Sequence, residues 1–349
     1  MSEYNFKIAV ALATYNGEKY LTEQLNSIIN QTKKVDTIFI GDDHSDDSTD
    51  KIISNFINTY LEENIIYYKN SERLGSTLNF NAICRHITDE YKYTFFSDQD
   101  DIWCNDKVEL SIELAEKENV SLIFSDAQII DNTGEYLDFS LWESYKIFKN
   151  EWSKVLKPKQ ALKIFLRRNL ATGATMCVRY DLLSIALDFP KAWVHDYWIA
   201  IIAVLNDKSI YPIEKKLILY RQHENQQIGS GASRKKNTLE FSKENRNNRI
   251  ASHFLHIESN MRLLYQKYSK SDINRKYLEY IDLGIYYAQL KIISAKDNPN
   301  QRLAYYLKQN KISLLKAYHI YNSNGVKGLF RDFYVFVGTA IRYTIKTKI

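Results

Sequence analysis

From Lys7 to about Phe124, short β-branched and aromatic runs alternate with longer stretches whose apolar residues recur at helical spacing. Lys7–Ala13, Thr37–Ile40, Ile65–Lys69, Tyr93–Phe96 and Ser121–Phe124 read as strands. Glu18–Asn30, Ser48–Tyr60, Thr77–His86 and Asp106–Glu118 read as the helices between them. That rhythm predicts an α/β fold, a mostly parallel sheet flanked by helices. In such sheets the ligand crevice lies beyond the carboxyl ends of the strands. Polar clusters fall in those places: Thr14-Tyr15-Asn16-Gly17 after the first strand, Asp42 to Asp47 after the second, and Asp98-Gln99-Asp100-Asp101 after the fourth.

Past the turn signal at Asp131–Gly134 the pattern is mixed. It holds a helix near Pro158–Arg168, a glycine-bearing segment at Thr172–Val178, a helix beginning near His195, and a strand at Lys216–Tyr220 before Arg221-Gln222-His223. The polar stretch Gln226–Lys236 reads as a mobile loop and separates a first domain, residues 1–230, from a helical domain, residues 238–349. In the last segment Leu329, Phe330, Phe333, Val337, Ala340 and Ile341 share one helical face beside Lys327, Arg331, Arg342, Lys346 and Lys348. Such a helix docks on its neighbours, fills a partner's groove, or lies on an anionic lipid surface.

Composition narrows the class. At 45% hydrophobic and 26% charged, the 349 residues have the balance of a folded globular protein. Four prolines and eleven glycines favour long regular elements. A net charge of +5 is too mild to indicate nucleic acid, yet it agrees with an anionic ligand or surface. Cys84, Cys104 and Cys177 form no CxxC pair, so neither a disulfide framework nor a zinc knuckle is expected, and a reducing compartment fits. No basic segment with an apolar core opens the chain, so export is not expected. No stretch approaches the ~20 apolar residues that span a bilayer.

The acidic clusters carry the chemistry. Residues two apart at a strand edge converge on one ligand, as Asp98 and Asp100 would. Two carboxylates so placed repel unless a cation or hydrogen-bond donors sit between them. Mg²⁺ or Mn²⁺ suits that oxygen-rich setting and would neutralise a departing diphosphate. The alternative is a solvated acidic loop capping the next helix. Asp42 and Asp43 are placed to accept the imide N–H of a uracil or thymine ring, while Ser45, Asp47 and Ser48 look like helix caps. Thr14, Tyr15 and Asn16 would border the same pocket, with the Tyr15 ring as a wall. Arg73 would pair with a phosphate or hold Asp98, and Gly75 permits the turn there. There is no GxGxxG after the first strand and no P-loop, which disfavours dinucleotide and P-loop chemistry.

Taken in order, Ala13–Gly17, Asp42–Thr49, Asn70 through Gly75 to Asn79, Ser97-Asp98-Gln99-Asp100-Asp101-Ile102-Trp103, His195-Asp196-Tyr197-Trp198 and Tyr220-Arg221-Gln222-His223 resemble the family-2 glycosyltransferases. The Ser-Asp-Gln-Asp-Asp-Ile-Trp form is similar to bacterial rhamnosyltransferase-type members that build cell-surface polysaccharides. The resemblance covers roughly residues 7–225 and implies a GT-A fold, with the C-terminal helices outside it. It implies inverting hexose transfer from a dTDP-rhamnose or UDP-hexose donor to a hydroxyl of a glycan or lipid-linked glycan. Outside the resemblance, the reducing compartment, the lack of an export signal and the basic, apolar last helix point to the cytoplasm, peripheral to the inner face of the plasma membrane. It further implies that Asp98 lies near ribose and metal, that Asp100 ligates Mg²⁺ or Mn²⁺ with His223 completing the coordination, and that Asp43, beside Asp42, reads the base. Asp196 would be the general base that inversion requires, against a plainer role as a first-turn helix carboxylate. Trp198 and Trp103 would be sugar platforms or core, and Thr172-Gly173-Ala174 would let an acceptor approach the backbone. Two competing classes remain. A nucleotidylyltransferase needs a glycine-rich basic loop that is absent after the first strand, and a non-catalytic sugar-nucleotide-binding scaffold would lack the base or metal ligands.

Overall fold

The computed structural model describes residues 6–147, 152, 154–224, 243–270, 275–295, 309 and 311–321. The expected interfacial helix at the end of the chain lies outside the described residues. Contacts divide the chain into two compact units: one is formed by Met1–Ala161 with Asn169–Lys236, and the other by Leu162–Arg168 with Asn237–Ile349.

In the first unit, β1 (Lys7–Thr14), α1 (Leu21–Ile29), β2 (Thr37–Asp42), α2 (Thr49–Thr59), β3 (Ile65–Lys69), α3 (Ser76–Cys84) and β4 (Tyr91–Ser97) alternate as expected. They are followed by β5 (Ile102–Trp103), α4 (Lys107–Lys117), β6 (Leu122–Ile130), β7 (Tyr136–Ser140), α5 (Leu141–Ser144) and α6 (Pro158–Phe165), whose residues from Leu162 on belong to the second unit. A 3₁₀ turn at Gly173–Thr175 leads into β8 (Met176–Arg179), α7 (Tyr180–Ala186), α8 (His195–Leu205) and β9 (Ile210–Arg221). Among the described residues one nine-stranded sheet runs β3-β2-β1-β4-β8-β6-β9-β5, with β7 beside β6. The β3-β2-β1-β4 half is parallel. Beyond it β8 runs antiparallel to both β4 and β6, while β9 runs parallel to β6 and antiparallel to β5.

β1 and β2 are buried on both faces, which is why they read as unbroken apolar runs instead of alternating ones. On one face Val10, Leu12, Ile38 and Ile40 pack with Leu21, Leu25 and Ile28 of α1 in a single cluster. Each such burial contributes about 1.5–3 kcal/mol. The α1 face also carries fully buried Gln24, whose Nε2 donates to Ser97 Oγ at 2.6 Å. Ser27 Oγ accepts from Trp103 N at 3.0 Å, and these bonds seat the end of β4 and the start of β5. The loops after β1, β2 and β4 therefore come together at one rim.

The second unit contains α9 (Lys243–Tyr268), α10 (Arg275–Ser294) and α11 (Lys311–Tyr321). Its core is rich in tyrosine: Tyr277, Ile281, Ala288, Leu290 and Tyr318 are buried, and Tyr321 Oη donates to the Tyr280 carbonyl. Lys291 lies over the rings of Tyr287 and Tyr318. No described helix is long and apolar enough to cross a membrane.

Candidate active site

The β1 and β2 loops are knitted together first. Asn16, in the left-handed region at φ 50°, accepts from Asp46 N at 3.1 Å and donates through Nδ2 to Asp46 Oδ1 at 2.7 Å. Its own N–H donates to Ser45 Oγ at 2.9 Å. Asp42 is fully buried and accepts from Ser45 N and Ser45 Oγ, and Tyr67 Oη adds a third donor at 3.1 Å. Asp42 is thus the anchor of its own loop. Asp43 takes N–H groups from Leu74 at 2.7 Å and Gly75 at 2.8 Å, which ties the second loop to the third. Gly75 adopts φ 85°, a conformation that penalises any side chain and lets its N–H turn toward Asp43.

Tyr15 sits above this layer with the Arg73 guanidinium 3.8 Å from its ring centre. This cation–π stack sets Arg73 against Tyr15, and among the described residues no bond from it to Asp98 is seen. Thr14 is buried, and its Oγ1 donates to Gln99 Oε1 at 2.6 Å. Tyr15 N donates to the same oxygen at 2.7 Å, and Gln99 Nε2 returns a bond to Tyr15 O at 3.0 Å. Gln99, the middle residue of the Asp98-Gln99-Asp100 motif, clamps the first loop to the fourth. Nothing in its residue type marked it out, since its partners lie in a distant part of the chain.

The fourth loop gathers three carboxylates beside Arg221 and His223. His223 Nε2 donates to Asp100 Oδ2 at 2.7 Å, so the end of β9 meets the end of β4. Arg221, 2% exposed, donates Nε to Asp100 O at 2.9 Å and Nη2 to Glu23 Oε2 at 2.6 Å, and stacks on Tyr20. Tyr20 also packs on the His223 ring, with centroids 5.2 Å apart. Asp101 is buried and accepts from Arg221 N at 3.0 Å. Burial pushes its pKa well above the usual carboxylate range, and the charges of Asp100 and Asp98 add to this. Asp98 is partly buried, and no donor among the described residues reaches its carboxylate. Burial raises it to about 7, helped by Asp100 and Asp196 and opposed by Lys107.

Those features fit a hard divalent cation. Asp98 is a carboxylate without a donor, Asp100 and His223 offer oxygen and imidazole side by side, and such a set suits Mg²⁺ or Mn²⁺. Among the described residues no three His, Cys, Asp or Glu side chains already converge as a ready-made metal centre. The protein would therefore contribute few ligands, and the remaining oxygens would come from a bound phosphate group.

Across the site Asp196 stands in the first turn of α8, 9% exposed. Asn169 Nδ2 donates to Oδ1 at 2.8 Å, Tyr197 N to Oδ1 at 2.5 Å, and Gly173 N to Oδ2 at 3.0 Å. Each carboxylate oxygen has two acceptor positions, so Oδ2 keeps one open. Burial raises Asp196 to about 6, against the lowering effect of those donors. His195, 4% exposed, stacks on Phe80 and Phe96, with ring centres 4.1 and 5.6 Å away. Burial alone lowers it to about 3, so it is a neutral wall. A Cβ on Gly173 would overlap His195 Nε2, so this position packs against the histidine and requires glycine. Asn169 was not marked by the sequence; its place depends on a fold contact with a residue in another segment.

One expectation needs correction. Trp198 is 2% exposed, packs on Trp193, and donates Nε1 to Ala186 O at 2.8 Å, so it is a core residue with no face for a sugar. Trp103, equally buried, takes the core side of its two readings.

Comparison with known proteins places this geometry. Residues 9–183, about half of the chain, match Glycosyl transferase family 2. The dTDP-rhamnosyl transferase RfbG of Shigella flexneri is 30% identical over 235 residues, which is 64% of this chain and 75% of that protein. S. aureus TarS 1–349, solved with UDP-GlcNAc, aligns with a TM-score of 0.53 at 16% identity, covering 85% of this chain and 80% of that one. The mannosyltransferase PcManGT from Pyrobaculum calidifontis, solved with GDP-Man and Mn²⁺, aligns with a TM-score of 0.51 at 14% identity, covering 99% and 89%. At those identities the two solved structures speak to fold alone. With the family match lying over β1 to α7 and the acidic rim at the strand ends, this chain belongs to glycosyl transferase family 2 and has the GT-A fold.

Proposed function

We propose that the protein transfers a hexose, with inversion, from dTDP-rhamnose or a UDP-hexose to a hydroxyl of a cell-surface polysaccharide or lipid-linked oligosaccharide precursor. The observation that carries this reading is the pairing of two carboxylate environments. Asp98 and Asp100 form an acidic rim beside His223, and Asp196 is near enough for its charge to raise Asp98. The dTDP-rhamnosyl transferase relative supports the donor class, and the UDP-GlcNAc and GDP-Man complexes of the two neighbours support a nucleoside-diphosphate sugar in general.

In this reading Tyr15, stacked by Arg73, walls the base, and Asp43 accepts the imide N–H through the acceptor capacity its loop bonds leave open. Thr14, Asn16, Asp42 and Gly75 hold those loops in shape. Asp100 and His223, with Asp98 beside them, would hold Mg²⁺ or Mn²⁺. When bound, such a cation neutralises charge growing on the diphosphate. The acceptor oxygen attacks the anomeric carbon from the side opposite the diphosphate, and its proton passes to Asp196 Oδ2. The new C–O bond forms as the anomeric bond to phosphate oxygen breaks, and the nucleoside diphosphate leaves with that electron pair. Asp196 held near 6 is ionised at neutral pH, as a base must be. Location at the inner face of the plasma membrane belongs to the same proposal, supported by the basic, apolar character of residues 327–348 in the sequence.

A donor screen tests the reading. Purified protein is supplied with UDP- and dTDP-sugars, and nucleoside diphosphate release is followed with Mn²⁺, Mg²⁺ or chelator. Release that needs the cation and drops sharply in Asp100→Ala is expected. Equal release in chelator would remove the metal assignment, and no release with any donor would remove the activity.

A further inference from the structure

Lys107 opens α4 with no exposed surface at all. Its Nζ donates to Ala174 O at 2.8 Å and lies 4.1 Å from the centre of the Trp103 ring. No carboxylate forms an ion pair with it within 4 Å among the described residues. Burying an ammonium is costly unless it is fully paired, and a methionine would fill the same apolar slot more cheaply. Burial lowers its pKa to about 7, against the raising charges of Asp101 and Asp98, and both forms of the amino group can donate to the Ala174 carbonyl. A polar group kept here at that cost marks a place where one particular contact matters.

That contact leads to the other half of the site. Ala174 belongs to the Gly173–Thr175 turn, and the N–H of Gly173 donates to Asp196 Oδ2 at 3.0 Å. Behind Lys107 lies the loop of Asp98 and Asp101, whose carboxylates both feel its charge. We propose that Lys107 is a positioning residue: its Nζ pins the Ala174 carbonyl, and so fixes the turn whose Gly173 N–H orients Asp196 against the acidic rim. The inference rests on the reading of Asp196 as base. It assigns Lys107 no contact with donor or acceptor.

The test uses the full chain and Lys107→Met. Hydrogen exchange in the peptide covering Gly173–Thr175 is expected to rise about tenfold or more while peptides from β1 and β2 stay unchanged. The turnover number for nucleoside diphosphate release is expected to fall about tenfold or more at nearly constant donor KM, as misplacement of a catalytic group does. Lys107→Arg, which keeps a charged donor, is expected to recover part of both. Lys107→Gln, too short to reach the carbonyl in place, carries the same expectation as Lys107→Met should that variant not fold. Wild-type exchange and turnover in a folded neutral variant would overturn the proposal, as would an exchange increase spread evenly over the first unit. If wild-type protein cleaves no sugar nucleotide, the reading of Asp196 fails, while the exchange measurement still decides whether Lys107 holds the turn.

Discussion

At the scale of single residues, the site is a set of carboxylates whose environments differ. Asp98 meets no donor among the described residues and is pushed up to about 7, whereas Asp196 receives three donors and is held at about 6. A raised carboxylate favours the folded state when protonated. Asp98 therefore contributes most stability below its unfolded pKa of roughly 4 and loses that contribution as pH climbs through about 7. Asp98→Asn cannot ionise and removes the penalty. In chelator, the melting temperature of Asp98→Asn relative to wild type is expected to rise by a few degrees between pH 5 and pH 8. Mn²⁺ should narrow the gap by stabilising wild type. A difference that stays flat over this range contradicts the environment described for Asp98. The position of these acids at the end of β4 was legible, because the strand pattern before them is strong; their environments were not, because burial and donors come from other segments. Residue type served badly for Trp198, since an indole packs equally well in a core or under a sugar, and only the Ala186 carbonyl 2.8 Å away decides between them.

At the scale of elements, the sequence pattern placed β1 to β4 and α1 to α4 within a few residues, because a sheet buried on both faces leaves long apolar runs. It passed over β5, β7 and α7, which are two, five and seven residues long. Periodicity needs more turns than these supply. The mixed half of the sheet was equally hidden, because strand direction depends on contacts between segments far apart. The Gly173–Thr175 turn shows what such contacts do. Its glycine carries no left-handed backbone, so the need for glycine comes only from His195 and cannot be read locally. Gly173→Ala should displace either the turn or the histidine at a cost of about 1–3 kcal/mol. Transfer is expected to drop about tenfold or more as the N–H leaves Asp196, with UDP or dTDP affinity retained. Calorimetric binding, a thermal melt and a turnover assay check this together. Full activity with an unchanged melt would show that the turn tolerates the methyl group.

At the scale of the whole molecule, the first unit brings four loop clusters and the start of α8 to one rim, joined by Gln99, Arg221 and the Asp43 bonds. The order of motifs along the chain made the family legible, whereas the scaffold residues between them stayed hidden because their partners are remote in sequence. The second unit adds a tyrosine-rich helical body. The proposed reaction divides the labour: Asp196 would receive the acceptor proton, and the separate rim of Asp98, Asp100 and His223 would carry the donor diphosphate. The most direct measurement is nucleoside diphosphate release by wild type and Asp196→Asn with one active donor, alongside calorimetric donor affinity for each. The account predicts that affinity changes less than about threefold while release falls by about 10²–10⁴-fold, with the wild-type rate declining below about pH 6. Equal release by the two proteins, or loss of donor binding with loss of release, would contradict it.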